Sequence, residues 1–144
     1  TRTFPINGKF SDRQKHCYQA VLDVQKTFLK EIKPGLTWGS LMKRSGEISG
    51  DIYLEYKLIE DNKKHSEVSY HGIGHFLGLE IHDVGKPDWE LEPGALLTVE
   101  PGLYLPDENL GIRIEDNVLI TESGYENLSA DVPKEIDEIE SLMK

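Results

Sequence analysis

The sequence predicts an α+β fold: two helices, a curved antiparallel sheet, and a closing C-terminal helix. Three observations lead there. Apolar residues recur at helical spacing through the first 60 positions. From Tyr70 onward the texture changes to short apolar runs broken by Gly and Pro, the pattern of strands and turns. After Pro133 the helical spacing returns.

Residues 1–10 (TRTFPINGKF) read as a strand end and a turn, with Asn7-Gly8 supplying positive φ. Ser11 then opens a helix, because Ser11-x-x-Gln14 is a capping box in which each side chain satisfies the other residue's free amide. Cys17, Val21, Val24, Phe28 and Ile32 fall on one helical face, and Pro34-Gly35 ends the segment. Thr37 caps a second helix running to about Ile59, with Leu41, Ile48, Ile52, Tyr56 and Ile59 as its buried edge. Residues 60–67 (EDNKKHSE) read as a solvated loop. The clearest strands are 95–100 (ALLTVE) and 111–121 (GIRIEDNVLIT). Ile136, Ile139, Leu142 and Met143 then define a closing helix packed on the rest.

Composition bounds the function. The 144 residues, 38% hydrophobic and 29% charged, suit one soluble domain spanning 1–144. A net charge of −10 argues against nucleic acid, whose phosphates need clustered Lys and Arg. No apolar run approaches the roughly 20 residues needed to cross a bilayer, so no membrane partner is expected. The lone Cys17 excludes an internal disulfide and sits on the apolar face of the first helix. With no export pattern at the N-terminus, a reducing cytoplasmic location is expected.

Three segments stand out as carriers of chemistry: SYHGIGHFLGLEIHD (69–83), LTVEPGLY (97–104) and GIRIEDNVLIT (111–121). His71, His75 and His82 fall within twelve residues, interleaved with Gly72, Gly74 and Gly78. The glycines oppose a regular helix but let the backbone approach a ligand closely. Strand alternation puts Thr98 and Glu100 on the face opposite Leu97 and Val99. A carboxylate at the end of an apolar strand is costly to bury without a cation. In the third segment Arg113 and Glu115 share the face opposite Ile112 and Ile114. A surface Arg–Glu pair and an inward carboxylate fit that strand equally; Glu100 tips the balance toward two carboxylates around a shared positive charge. One imidazole and two carboxylates form a hard, oxygen-rich set that favours manganese, cobalt or iron over structural zinc. A carboxylate bridging two ions about 3.5–4 Å apart would make a two-metal hydrolase.

Together, His-Gly-Ile-Gly-His-Phe-Leu-Gly-Leu-Glu-Ile-His-Asp, Val-Glu-Pro-Gly-Leu-Tyr and Gly-Ile-Arg-Ile-Glu-Asp-Asn resemble the creatinase/methionine aminopeptidase ("pita-bread") superfamily. Within it the chain is most similar to the aminopeptidase P/prolidase group. The resemblance runs from Thr-Arg-Thr-Phe-Pro-Ile-Asn-Gly-Lys-Phe to the Pro-Lys-Glu-Ile-Asp-Glu-Ile-Glu tail. It implies the C-terminal portion of a pita-bread fold. It further implies that His75, Glu100 and Glu115 are metal ligands, with Glu115 bridging two ions, manganese foremost and cobalt, iron or zinc as alternatives. His71 would lie beside the substrate, and His82 would hydrogen-bond the scissile peptide. Arg113 would support the site from its edge, and Glu100 would also shuttle a proton to the departing nitrogen. The implied reaction is hydrolysis of the bond between an N-terminal residue and proline. Peptides with proline second would be the substrates, and the complete protein would be a homo-oligomer. Prolidase activity and a non-catalytic binding module are the alternatives.

The family also requires two aspartate ligands, both upstream of the Thr-Arg-Thr-Phe-Pro match. Asp12, Asp51 and Asp83 lie in the wrong contexts to replace them. The expectation is therefore an incomplete chain, metal-free or weakly metal-binding, inactive alone, and prone to self-association along its uncovered edge.

Overall fold

Helix formation begins where Ser11 turns the chain. In the computed structural model, which describes residues 1–144, helix α1 spans Asp12–Leu29. The Ser11 hydroxyl accepts from the Gln14 amide, and the Gln14 side chain accepts from the Ser11 amide, closing the expected box. The face formed by Cys17, Val21, Val24, Phe28 and Ile32 is buried throughout. Tyr18, Ala20 and Leu22 are buried as well, so α1 is covered on more than one side. It is the axle of the structure.

Helix α2 spans Trp38–Glu55, capped by the Thr37 hydroxyl accepting from the Ser40 amide. It stops short of Ile59 because Lys57 adopts a left-handed conformation with φ +54°, which an α-helix cannot contain. Leu41 and Ile48 are buried as expected, whereas Ile52, Tyr56 and Ile59 are half-buried and Tyr53 takes the central position. The segment 60–67 is not the loop expected. It holds a 3-10 turn, Asn62–Lys64, started by Asp61 accepting from the Lys63 amide, and then α3, His65–Val68.

The remaining elements are β1 (Leu96–Val99), β2 (Gly102–Leu105), β3 (Leu110–Arg113), β4 (Asp116–Thr121), β5 (Gly124–Asn127) and α4 (Ile136–Leu142). All pairs are antiparallel, in one sheet of order β1-β4-β5 and a second of β2-β3. The single strand expected over 111–121 is thus two strands. Pro101 has no N–H to give to the ladder, and the Glu115 amide turns to the Thr1 carbonyl instead, at 3.0 Å. Register nevertheless continues across the break: Val99 faces Asp116 before it, and Gly102 faces Arg113 after it. Glu100 and Glu115 therefore sit opposite one another at the interruption.

Residues 1–10 form no strand. Thr3 instead exchanges hydrogen bonds with the Arg113 backbone, its hydroxyl donating to the carbonyl and accepting from the amide, both at 3.0 Å. The turn that follows is closed by the Gly8 amide on the Pro5 carbonyl, with Gly8 at φ +83°. In α4 only Ile139 is fully buried. Leu142 is 70% exposed, contrary to expectation, because it projects past the core edge beside Phe4 and Val132 in a shallow apolar groove. One core unites both helices and both sheets. No helix is long and apolar enough to cross a membrane.

Candidate metal centre

Three chain segments converge where the ribbon is broken. The stretch 73–77 runs alongside β1, its backbone joined by the Thr98 amide to the His75 carbonyl (2.9 Å), the Glu100 amide to the Ile73 carbonyl (2.6 Å) and the Leu77 amide to the Leu96 carbonyl (2.9 Å). So close an approach needs Gly74, since a Cβ there would lie 2.0 Å from the Thr98 carbonyl oxygen. This zipper carries His75 to the end of β1. Glu100 directly follows β1 and Glu115 precedes β4, and one ligand-type atom each from His75, Glu100 and Glu115 lies within 4.8 Å of the others.

The electrostatics of the cluster suit a cation. His75 Nδ1 lies 2.9 Å from the Phe76 carbonyl, which can only accept, so Nδ1 carries the proton and Nε2 presents a lone pair. Nε2 is 3.2 Å from Glu100 Oε1. Two electron-rich atoms at that distance, with a second carboxylate beside them, repel unless a positive charge is shared between them. Arg113 offers only a partial remedy, standing 3.9 Å from Glu100 Oε2 and mostly exposed. Burial raises the Glu115 carboxyl, and the Thr1 hydroxyl and Arg113 act in the opposite direction, toward its ionised form. An imidazole and two half-buried carboxylates fit a divalent metal ion.

Of the other residues singled out from sequence, His82 joins the cluster, its ring centroid 4.2 Å from that of His75. His71 stands apart from the ligand atoms. The Tyr104 hydroxyl donates to its Nε2 at 2.7 Å, and its Nδ1 donates to the Gly72 carbonyl at 2.8 Å. Burial raises the Tyr104 phenol, with Arg113 opposing and Glu100 adding to the rise, so the phenol remains a donor. Arg113 reaches the cluster edge, beside the Glu100 carboxylate.

Sequence reasoning missed the support beneath the ligands. Gln25 on α1, fully buried, donates to the carbonyls of Val99 (3.1 Å) and Ile114 (3.0 Å), the residues just before the two glutamates. Its own oxygen accepts from Lys134 at 2.9 Å, and Lys134 pairs with the buried Asp116 at 2.5 Å. Arg2 completes the frame, donating to Asp116 Oδ1 at 2.7 Å and to the Glu115 carbonyl at 2.6 Å. Burial raises the Asp116 carboxyl, but Lys134, Asn127 and Arg2 together hold it below its ordinary value. A glutamine inside an otherwise apolar helix face was the available signal.

Comparison with known proteins gives this arrangement its relatives. Residues 1–122 match the sequence profile of metallopeptidase family M24. The chain is 39% identical to the mitochondrial intermediate cleaving peptidase 55 of Arabidopsis thaliana and 43% identical to the Xaa-Pro aminopeptidase of Escherichia coli. Both alignments take in 99% of this chain, but 31% and 37% of those proteins. The structure of zinc-substituted E. coli aminopeptidase P in complex with product superimposes with a TM-score of 0.86 at 39% identity, over 99% of this chain and 37% of that one. The chain thus spans about a third of the length of the curated relatives it matches. Its fold is that of the C-terminal region of the pita-bread aminopeptidases. By that profile, and by the architecture that carries it, the chain belongs to metallopeptidase family M24.

Proposed function

We propose that the complete protein containing this chain is a dinuclear Xaa-Pro aminopeptidase. It would remove an N-terminal residue from peptides whose second residue is proline. The observation that carries this reading is the convergence of the His75, Glu100 and Glu115 ligand atoms within 4.8 Å of one another. His75, Glu100 and Glu115 would hold the ions, and manganese is the metal the donor set favours. Bound there, divalent ions supply Lewis-acid activation of water and of the scissile carbonyl.

The chain's own residues do the rest. His82, packed on His75, would donate to the peptide carbonyl. His71, held between Tyr104 and the Gly72 carbonyl, would form a wall of the substrate site. Glu100 accepts a proton from the attacking water and returns it to the proline nitrogen, with Arg113 steadying its second oxygen. That nitrogen belongs to a tertiary amide and offers no N–H, so recognition rests on shape. The relatives' names support this specificity.

The test is peptide hydrolysis by the complete protein. Cleavage of Xaa-Pro peptides is expected with added Mn(II), and His75→Ala or Glu115→Ala should reduce it roughly a thousandfold or more, the rate equivalent of several kcal/mol of Lewis-acid stabilisation. Metal-independent cleavage, or undiminished activity in both variants, would contradict the reading.

A further inference from the structure

Thr98 touches two of the three ligand residues and is not itself a ligand. It is 2% exposed, in a position where strand alternation turns it to the same face as Glu100. Its hydroxyl accepts a hydrogen bond from the His75 amide at 2.9 Å. The one hydroxyl hydrogen has two candidate acceptors, Glu100 Oε1 at 3.2 Å and the His75 carbonyl at 3.5 Å. That carbonyl already accepts from the Thr98 amide at 2.9 Å. The carboxylate is the nearer and the charged acceptor, and hydrogen bonds to ionised groups are the stronger kind. The hydrogen therefore goes to Glu100 Oε1. This is also the oxygen that lies 3.2 Å from His75 Nε2.

We infer that Thr98 is a positioning residue of the metal centre, its hydroxyl aiming Glu100 Oε1 while locking the backbone of His75. The inference rests on the proposed role of His75 and Glu100 as ligands. A purely structural alternative exists, since a threonine suits a strand by its β-branched shape alone. The two are separable by chemistry. Thr98→Val keeps the branch and nearly the volume but removes the hydroxyl, leaving the His75 amide unpaired and one Glu100 oxygen without its donor. Thr98→Ser removes the branch and keeps the hydroxyl.

The test is a titration of the metal-free complete protein with Co(II), followed by the visible absorption of the bound ion and by calorimetry. Relative to wild type, T98V is expected to bind Co(II) about 10–100-fold more weakly, the usual effect of removing an outer hydrogen-bond partner. Its absorption band should also change, and its activity should recover at saturating Co(II). T98S should stay close to wild type in all three. Should T98V fail to fold, Thr98→Ala against Thr98→Ser makes the same comparison, because those two differ by the hydroxyl alone. Equal affinity in T98V and wild type overturns this inference alone, as does a T98S variant as weak as T98V. A wild-type protein that takes up no Co(II) removes the ligand assignment and the inference with it.

Discussion

Gly74 sits where no side chain fits. An added Cβ would lie 2.0 Å from the Thr98 carbonyl oxygen, a backbone atom that cannot move without β1. At Gly72 the nearest obstacle is the flexible tip of Met42, at 2.7 Å. The two glycines look alike in sequence, yet Gly74→Ala should cost about 2–4 kcal/mol and Gly72→Ala much less. Urea unfolding of the two variants checks this, and equal losses would count against the zipper. At this scale the candidate cluster was legible: Glu100 and Glu115 stood out by strand pattern, His75 was picked out by the family resemblance, and ligand-type atoms of the three lie within 4.8 Å of one another. Thr98 and Gln25 were not, because a buried hydroxyl and a buried amide have no motif. Apart from Glu100, their partners come from segments 23 to 109 residues away along the chain.

Helices announce themselves at their caps. Ser11 and Thr37 started α1 and α2 where the sequence placed them, and Ser11→Ala should lower stability by about 1 kcal/mol, read as a shift in the urea midpoint. Strands were harder to read. A single strand was expected over 111–121, since Ile112, Ile114, Val118 and Ile120 keep their alternation through the break, all of them buried. What divides it is Pro101 between β1 and β2, a nonlocal cause. β5, with the polar sequence GYEN, carried no apolar alternation to reveal it. The docking of α4 is expected to respond to pH. Glu140 accepts from Lys15 at 3.2 Å and from the Phe10 amide at 3.0 Å, and these bonds hold its carboxyl below the ordinary value of 4.5. A lowered folded-state value stabilises the native state above the unfolded value and loses that contribution as pH falls through the folded one. Glu140→Gln should therefore flatten the decline in thermal stability below pH 4.5, with little effect on its slope at neutral pH. An unchanged acid limb would show that Glu140 does not anchor α4.

For the whole molecule, the site is a gap in a β-ribbon that is closed from behind by α1 and from the side by the glycine-rich stretch. The α+β class, the two leading helices and the closing helix were readable because each depends on residues near one another in sequence. The underlying frame of Arg2, Gln25, Asp116 and Lys134 joins both ends of the chain and could be seen only in three dimensions. That frame should bring the carboxylates together before any ion arrives. The most direct test is anomalous diffraction from crystals of the complete protein grown with Mn(II). The account expects anomalous peaks within bonding distance of His75 Nε2 and of the Glu100 and Glu115 carboxylates, with Glu115 touching two of them. Manganese bound elsewhere, with these three side chains turned away from it, would contradict the account.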